Sequence, residues 1–250
     1  MKREVFKRML NELNTIDDIP RVKKEFDLSE EVLVSILSHK IARDATRRFY
    51  QIKHRAKDLL KDWLKGESLM HIAGRFDFPP VLMAKIILEE HGLSRVKCNK
   101  YLRNPNSVNN TRLCKELHQV IERDITYSPN ANTMQAKYGR MVEDAVKDWL
   151  DGHSIEYQQE KDIKEKYPKT PDFLLKKPLK IDGDDIHWIE CKASFGDEVE
   201  MKRNYRRQLL PYKELFGDGM VVYWYGYIED APHDEDILIA TQEFFTTSCA

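Results

Sequence analysis

Four ionisable residues in the second half of the chain have the types and spacing of a hydrolytic site. Asp172 follows Pro171 and opens an apolar run, Phe173-Leu174-Leu175. Glu190 and Lys192 flank Cys191 in a second run, Ile186–Ala193. The two-residue period of a strand puts both charges on one face, with Ile189 and Cys191 on the other. Two charges on one face of an otherwise apolar strand need a reason. The 18 positions between Asp172 and Glu190 suit neighbouring strands joined by the polar turn Asp182-Gly183-Asp184-Asp185. Glu143 lies on a helical stretch ahead of them. Carboxylates hold hard cations through oxygen, and a lysine beside them can assist a proton transfer or stabilise charge on a phosphoryl group. Taken singly, each residue also has an ordinary reading. Glu190 and Lys192 would be an ion pair, Asp172 a turn residue, and Glu143, beside Asp144, a surface acid.

Taken in order they are more specific. Glu143, Pro171-Asp172 and Glu190-Cys191-Lys192 resemble the signature of the PD-(D/E)XK nuclease superfamily. Gln208-Leu209-Leu210-Pro211-Tyr212 is similar to the Q-x-x-x-Y motif of its RecB-like branch. Thr170-Pro171-Asp172, Glu190 through Asp197, and the Tyr-Trp run after Phe216-Gly217 resemble the TPD family, which has animal and archaeal members. That family pairs N-terminal helix-turn-helix units with a C-terminal nuclease, and the resemblance covers essentially the whole chain. It implies a Mg²⁺- or Mn²⁺-dependent nuclease acting on DNA. Asp172, Glu190, the backbone carbonyl of Cys191 and Glu143 would surround the metal. Lys192 would orient or help deprotonate the attacking water, and Gln208 and Tyr212 would position the scissile strand or the lysine. Pro211 counts against a regular i, i+4 face for that pair. The superfamily includes junction resolvases, so branched DNA enters as a substrate class and a homodimer as a way to cut two strands. A catalytically inactive helix-turn-helix DNA-binding or scaffold protein, and an RNA-directed nuclease, stay open as alternatives.

The elements that must carry this chemistry follow from periodicity. The expected fold is α/β: a helical, helix-turn-helix-like nucleic-acid-binding region over 1–125, then a nuclease domain over 126–250 with a central mixed sheet. The resemblance makes the second a restriction-endonuclease-like domain. Strands are expected at Ile155–Gln159, Asp172–Leu175, Ile186–Ala193, Met220–Ile228 and Ile237–Ala240, and a helix over Met134–Leu150. In the first half, Ala56–Lys65, Leu69–Arg75 and Val81–Glu90, punctuated by Gly66, Phe76–Pro80 and Gly92, have the layout of a helix-turn-helix.

The 250 residues carry 41 Lys and Arg against 42 Asp and Glu, a net charge of -1. The balance hides an asymmetry: residues 1–125 hold 25 basic against 18 acidic residues, and 126–250 hold 16 against 24. The basic excess suits phosphate contact, and Arg43, Arg47 and Lys85 are the residues expected to make it. Lys85 is the one basic residue of the recognition-helix candidate, a poor endowment for a major-groove reader. In the acidic half, Lys202, Arg203, Arg206 and Arg207 form a second basic cluster beside Gln208. No run of apolar residues is long enough to cross a membrane, and no phosphate-binding loop motif implies a nucleotide cofactor. Four scattered cysteines, Cys98, Cys114, Cys191 and Cys249, with no C-x-x-C pair, fit a reducing compartment. The expectation is a cytoplasmic protein, nucleoid-associated if DNA is the substrate.

Overall fold

The structure is a computed structural model that describes residues 1–246; Cys249 lies outside the described residues. Cys98, Cys114 and Cys191 are free thiols. The chain packs as two compact units, one made of Met1–Ile36 with Lys137–Ala250 and the other of Leu37–Ala136. These packing units differ from the 1–125 and 126–250 division read from sequence, because the first 36 residues group with the sheet. Three helices open the chain: α1 (Arg3–Glu12), α2 (Ile19–Phe26) and α3 (Glu30–His54). The first packing cut falls inside α3.

The unit Leu37–Ala136 is helical: α4 (Ala56–Leu64), α5 (Leu69–Arg75), α6 (Pro80–Glu90), α7 (Arg95–Arg103) and α8 (Thr111–Arg123). Ser68 caps α5 by accepting the His71 N–H, and Gly66 takes the left-handed conformation that ends α4. The core is knitted by Glu116, which is buried yet saturated. Its carboxylate accepts from Trp63 Nε1 at 2.9 Å, Leu69 N at 3.2 Å and Arg112 Nε at 2.7 Å. Asp124 ties α6 in the same way, accepting from Val81 N at 2.9 Å. Both carboxylates offset their desolvation with donors drawn from separate elements.

The helix α9 (Pro129–Gly152) carries the chain back into the first unit. The sequence reading starts this helix at Met134, but it begins five residues earlier, at Pro129. Ser128 Oγ caps the Ala131 N–H at 3.1 Å, and Pro129 fits a first helical position because it needs no N–H partner. Next come β1 (Tyr157–Gln159), α10 (Glu160–Ile163), β2 (Phe173–Ile181), β3 (Asp184–Lys192), α11 (Glu198–Asn204), α12 (Leu210–Phe216), β4 (Gly219–Tyr223), β5 (Ile237–Ala240) and α13 (Gln242–Thr246). One five-stranded sheet runs in the order β1-β2-β3-β4-β5 among the described residues. The first two pairings are antiparallel and the last two parallel, so the sheet is mixed as expected.

Two strands depart from the sequence reading. The second runs on past Leu175 to Ile181, because an irregularity between Leu174 and Leu179 absorbs Pro178. A two-residue turn at Asp182-Gly183, both with positive φ, then closes the hairpin. The fourth strand stops at Tyr223 rather than Ile228, because the chain turns through Gly226 at φ 89°. The face of the sheet bearing Phe173, Ile189, Met220 and Val222 packs on Val142, Val146 and Leu150 of α9. The opposite face lies under α11 and α12.

Candidate active site

Sheet register builds the site. In the antiparallel pair of β2 and β3, Phe173 lies opposite Ile189, so Asp172, one residue before the strand, lies opposite Glu190. Across the parallel pair, Glu190 lies beside Val221 and Lys192 beside Tyr223. Because β2 begins only at Phe173, the Cys191 N–H has no partner on that strand. Asp172 Oδ2 accepts it at 2.7 Å, fixing the carboxylate at the end of the ladder.

Glu190 is buried, with 3% of its surface exposed. Its Oε1 accepts from Lys192 Nζ at 2.5 Å and from Gln208 Nε2 at 2.9 Å. Gln208 Oε1 in turn accepts from Lys192 Nζ at 2.7 Å, so one amide bridges acid and amine. The other carboxylate oxygen, Oε2, is buried and has no hydrogen-bond partner. An orphaned buried oxygen costs about 1–3 kcal/mol, more for a charged group, so it persists where function requires it or a ligand satisfies it.

Gln208 reaches this position from an unusual backbone. Tyr205–Leu209 is one turn of π-helix between α11 and α12. Pro211 lies just beyond it, and its ring would clash with the Arg207 carbonyl in a continuous α-helix. The wider turn absorbs that conflict, as π-bulges at functional sites commonly do. Gln208 and Tyr212 are therefore not one regular α-turn apart. Tyr212 is buried, edge-on to Trp188 at 5.4 Å between ring centroids. Burial, and then the nearby Glu190 charge, push its phenol well above the ordinary range.

The acids crowd one another. Burial and the Glu190 charge raise the Asp172 carboxyl to about 7, against the lowering effect of the Cys191 N–H and Lys192. Burial likewise raises Glu190, although Lys192 opposes it. Glu143, on the surface of α9, is raised by partial burial and then by Asp172, Asp144 and Glu160. Burial also pushes the Cys191 thiol up, so it is no nucleophile at neutral pH. The structure thus brings Asp172, Glu190, Lys192, Gln208 and Tyr212 together, with Glu143 within electrostatic reach.

Glu160, which the sequence reading passed over, joins them. Gln159 lies opposite Phe173 in the pairing of β1 and β2; Glu160, the next residue, opens α10, and its charge raises Asp172 and Glu143. A strand is expected over Ile155–Gln159, but its partner is not legible in the sequence, so the acid just past its end goes unnoticed.

Oxygen donors of this kind fit a hard cation. The orphaned Glu190 Oε2 and the Asp172 carboxyl, raised by burial and by Glu190, are the features a divalent ion would relieve. Among the described residues, no three His, Cys, Asp or Glu side chains stand close enough to share one ion as placed.

The expected phosphate contacts are dispersed. Lys202, Arg203, Arg206 and Arg207 are exposed along α11 and the π turn. Arg203 is paired with Glu200. Asp197, at the start of this segment, caps α11 by accepting from Val199 N and Glu200 N. In the helical unit, Arg47 is exposed and bonds Asp44 at 2.7 Å, while Arg43 is partly buried. Lys85 is partly exposed on α6, whose Val81, Met83, Ala84, Ile86, Ile87 and Leu88 are buried. Little of α6 is left to read a groove.

The chain belongs to the family described as "Protein of unknown function TPD sequence-motif", which matches residues 109–244. It is similar to CDAN1-interacting nuclease 1 of Homo sapiens, 29% identical over 254 residues, which covers 94% of this chain and 90% of that protein. The protein of the same name from Bos taurus is 30% identical over 236 residues, covering 86% and 83%. That from Xenopus laevis is 32% identical over 230 residues, covering 84% and 75%. No solved structure matches. The named relatives are nucleases, which supports nuclease activity at the level of the family. Among the described residues, no helix is long and apolar enough to cross a membrane.

Proposed function

We propose that the protein is a Mg²⁺- or Mn²⁺-dependent nuclease of the PD-(D/E)XK type that hydrolyses phosphodiester bonds in DNA, branched DNA included. The observation that supports this most is the buried Glu190 carboxylate, bonded to Lys192 and Gln208 through one oxygen and unpartnered at the other, beside Asp172. Asp172, Glu190, the Cys191 carbonyl and Glu143 are the residues that would hold the metal. A bound divalent cation supplies Lewis-acid polarisation and a more acidic water.

The protein groups have separable tasks. Lys192, anchored by Glu190 and Gln208, presents an ammonium to the negative phosphoryl oxygens and orients the attacking water. Gln208 holds that amine in place, and Tyr212 excludes water behind Glu190. Asp172 keeps its orientation through the Cys191 N–H. The exposed Lys202, Arg206 and Arg207 would neutralise backbone phosphates near the site, with Arg203, Arg43, Arg47 and Lys85 adding further contacts. Two copies would be needed to cut both strands of a duplex at once.

The test is a cleavage panel of single-stranded, duplex, flap and four-way DNA, with matching RNA, in Mg²⁺, Mn²⁺ and EDTA. Metal-dependent cleavage of DNA is expected, lowered about 10²- to 10⁴-fold by Lys192→Ala. Wild type and Lys192→Ala equally inert on every substrate would leave the scaffold reading standing, and cleavage confined to RNA would replace the substrate.

A further inference from the structure

Resting on the metal-nuclease reading above, we propose that Asp234 is a positioning residue: it fixes the π turn, and through that turn the Gln208 amide that holds Lys192. Asp234 lies in the loop ahead of β5, and the sheet anchors it. Its Oδ1 accepts the Asp236 N–H at 3.1 Å. Its backbone carbonyl accepts the N–H of Ile237, the first residue of β5, also at 3.1 Å. Ile237 in turn lies beside Gly219 of β4.

From that anchor one carboxylate holds both flanks of the π turn. Tyr205, the first residue of the turn, donates its hydroxyl to Oδ2 at 3.0 Å. Lys213 of α12 donates Nζ to Oδ1 and Oδ2, each at 2.9 Å, and reaches Asp236 at 2.6 Å. Against its burial, Lys213, the Asp236 N–H and Tyr205 hold the Asp234 carboxyl below its ordinary value. Gln208 and Pro211 lie between the two grips. A π turn is one extra residue in a helix, and its place decides which side chains face the sheet. Each residue of an α-helix advances about 100°, so a turn that slid past Gln208 would swing its amide by about that angle, away from Glu190 and Lys192. Pro211 rules out an unbroken α-helix; the grips on Tyr205 and Lys213 set where the extra residue sits. As an ordinary ion pair, Lys213 and Asp234 would tie β5 to α12 and leave Gln208 indifferent. The Tyr205 hydroxyl on the same carboxylate extends the hold across the turn.

The experiment uses the full chain labelled with ¹⁵N-glutamine, in EDTA, with the Gln208 side-chain amide resonance assigned by its loss in Gln208→Ala. Asp234→Ala should move that resonance towards the position of a solvated amide. The pair Tyr205→Phe with Lys213→Met, which leaves Asp234 in place, should do the same, and thermal melts identify the variants that stay folded. In Mn²⁺, Asp234→Ala should lower turnover by up to about 100-fold with KM little changed. In the Gln208→Ala background it should lower turnover no further, since both act through one amide. An unmoved Gln208 resonance in a folded variant would overturn the proposal, as would turnover losses that simply add in the double variant. Cleavage by no form of the protein would instead overturn the nuclease reading, and the resonance alone would then decide whether Asp234 sets Gln208.

Discussion

Replacing Asp172 with Asn should stabilise the metal-free protein, and only at neutral to alkaline pH. Asp172 is raised from its ordinary 3.8 to about 7, by burial and then by Glu190. The folded state therefore holds a proton that the unfolded chain has released between those values, and stability falls as pH rises through that window. Above about pH 7 both states are ionised and the full penalty applies. At about 1.4 kcal/mol per tenfold in proton affinity, it comes to roughly 4 kcal/mol. Below about pH 4 both states are protonated and the penalty vanishes. Asn keeps the shape, and its Oδ1 can still accept the Cys191 N–H, so the substitution removes charge and little else. Denaturation in EDTA at pH 4, 5, 6.5 and 8 should show a gap of about 2–4 kcal/mol at pH 8, or roughly 5–15 °C in melting midpoint. The gap should close towards pH 4. Added Mn²⁺ should narrow it at pH 8 by stabilising wild type alone. A variant no more stable than wild type at pH 8, or a gap that ignores pH, would refute the reasoning.

Other outcomes follow from particular contacts. Glu116→Ala strands the buried Trp63 indole N–H and the Leu69 N–H; urea denaturation should show a loss of about 2–4 kcal/mol. Phe6→Ala empties a buried position stacked on Phe195 at 5.6 Å, so it should cost about 3–5 kcal/mol by the same measurement. A Cβ at Gly196 would stand 2.9 Å from the Tyr223 ring, just past Lys192. Gly196→Ala should therefore cost about 1–3 kcal/mol and lower cleavage more than substrate binding. Gln208→Ala should depress turnover, and Gln208→Glu should not rescue it, because a carboxylate cannot donate to Glu190.

The row of residues around Glu190 was legible because β3 alternates cleanly and its two charges break an apolar pattern. Helices α4 to α6 were legible from Gly66, Ser68 and the prolines at 79 and 80, which punctuate them within a residue or so. What stayed hidden depends on neighbours rather than on local sequence. The start of α9 rests on a side-chain cap, which a Ser-Pro-Asn cluster does not announce. The end of β4 is set by a turn that a Tyr-Trp-Tyr run disguises as strand. The π turn at Gln208 arises from Pro211, which was read as a kink without its remedy. Glu160 needed a pairing register that no single strand contains. The grouping of Met1–Ile36 with the sheet is likewise non-local, since nothing in those residues names their partner.

That grouping has a consequence in time. Phe6 stacks on Phe195, Ser35 Oγ accepts the Phe195 N–H, and Arg3 bonds Asp230 across 227 positions. The loop following Lys192 is thus braced by residues made some 160–190 positions before it. At about 5–20 residues per second, α1 waits roughly 10–40 s for Phe195 to be synthesised, with Phe6 without its stacking partner meanwhile. Leu37–Ala136 finds its whole core within itself and can close in that interval. The unit carrying the proposed site is completed after the helical one, so a chain released between the two would hold a folded helical unit and no assembled site.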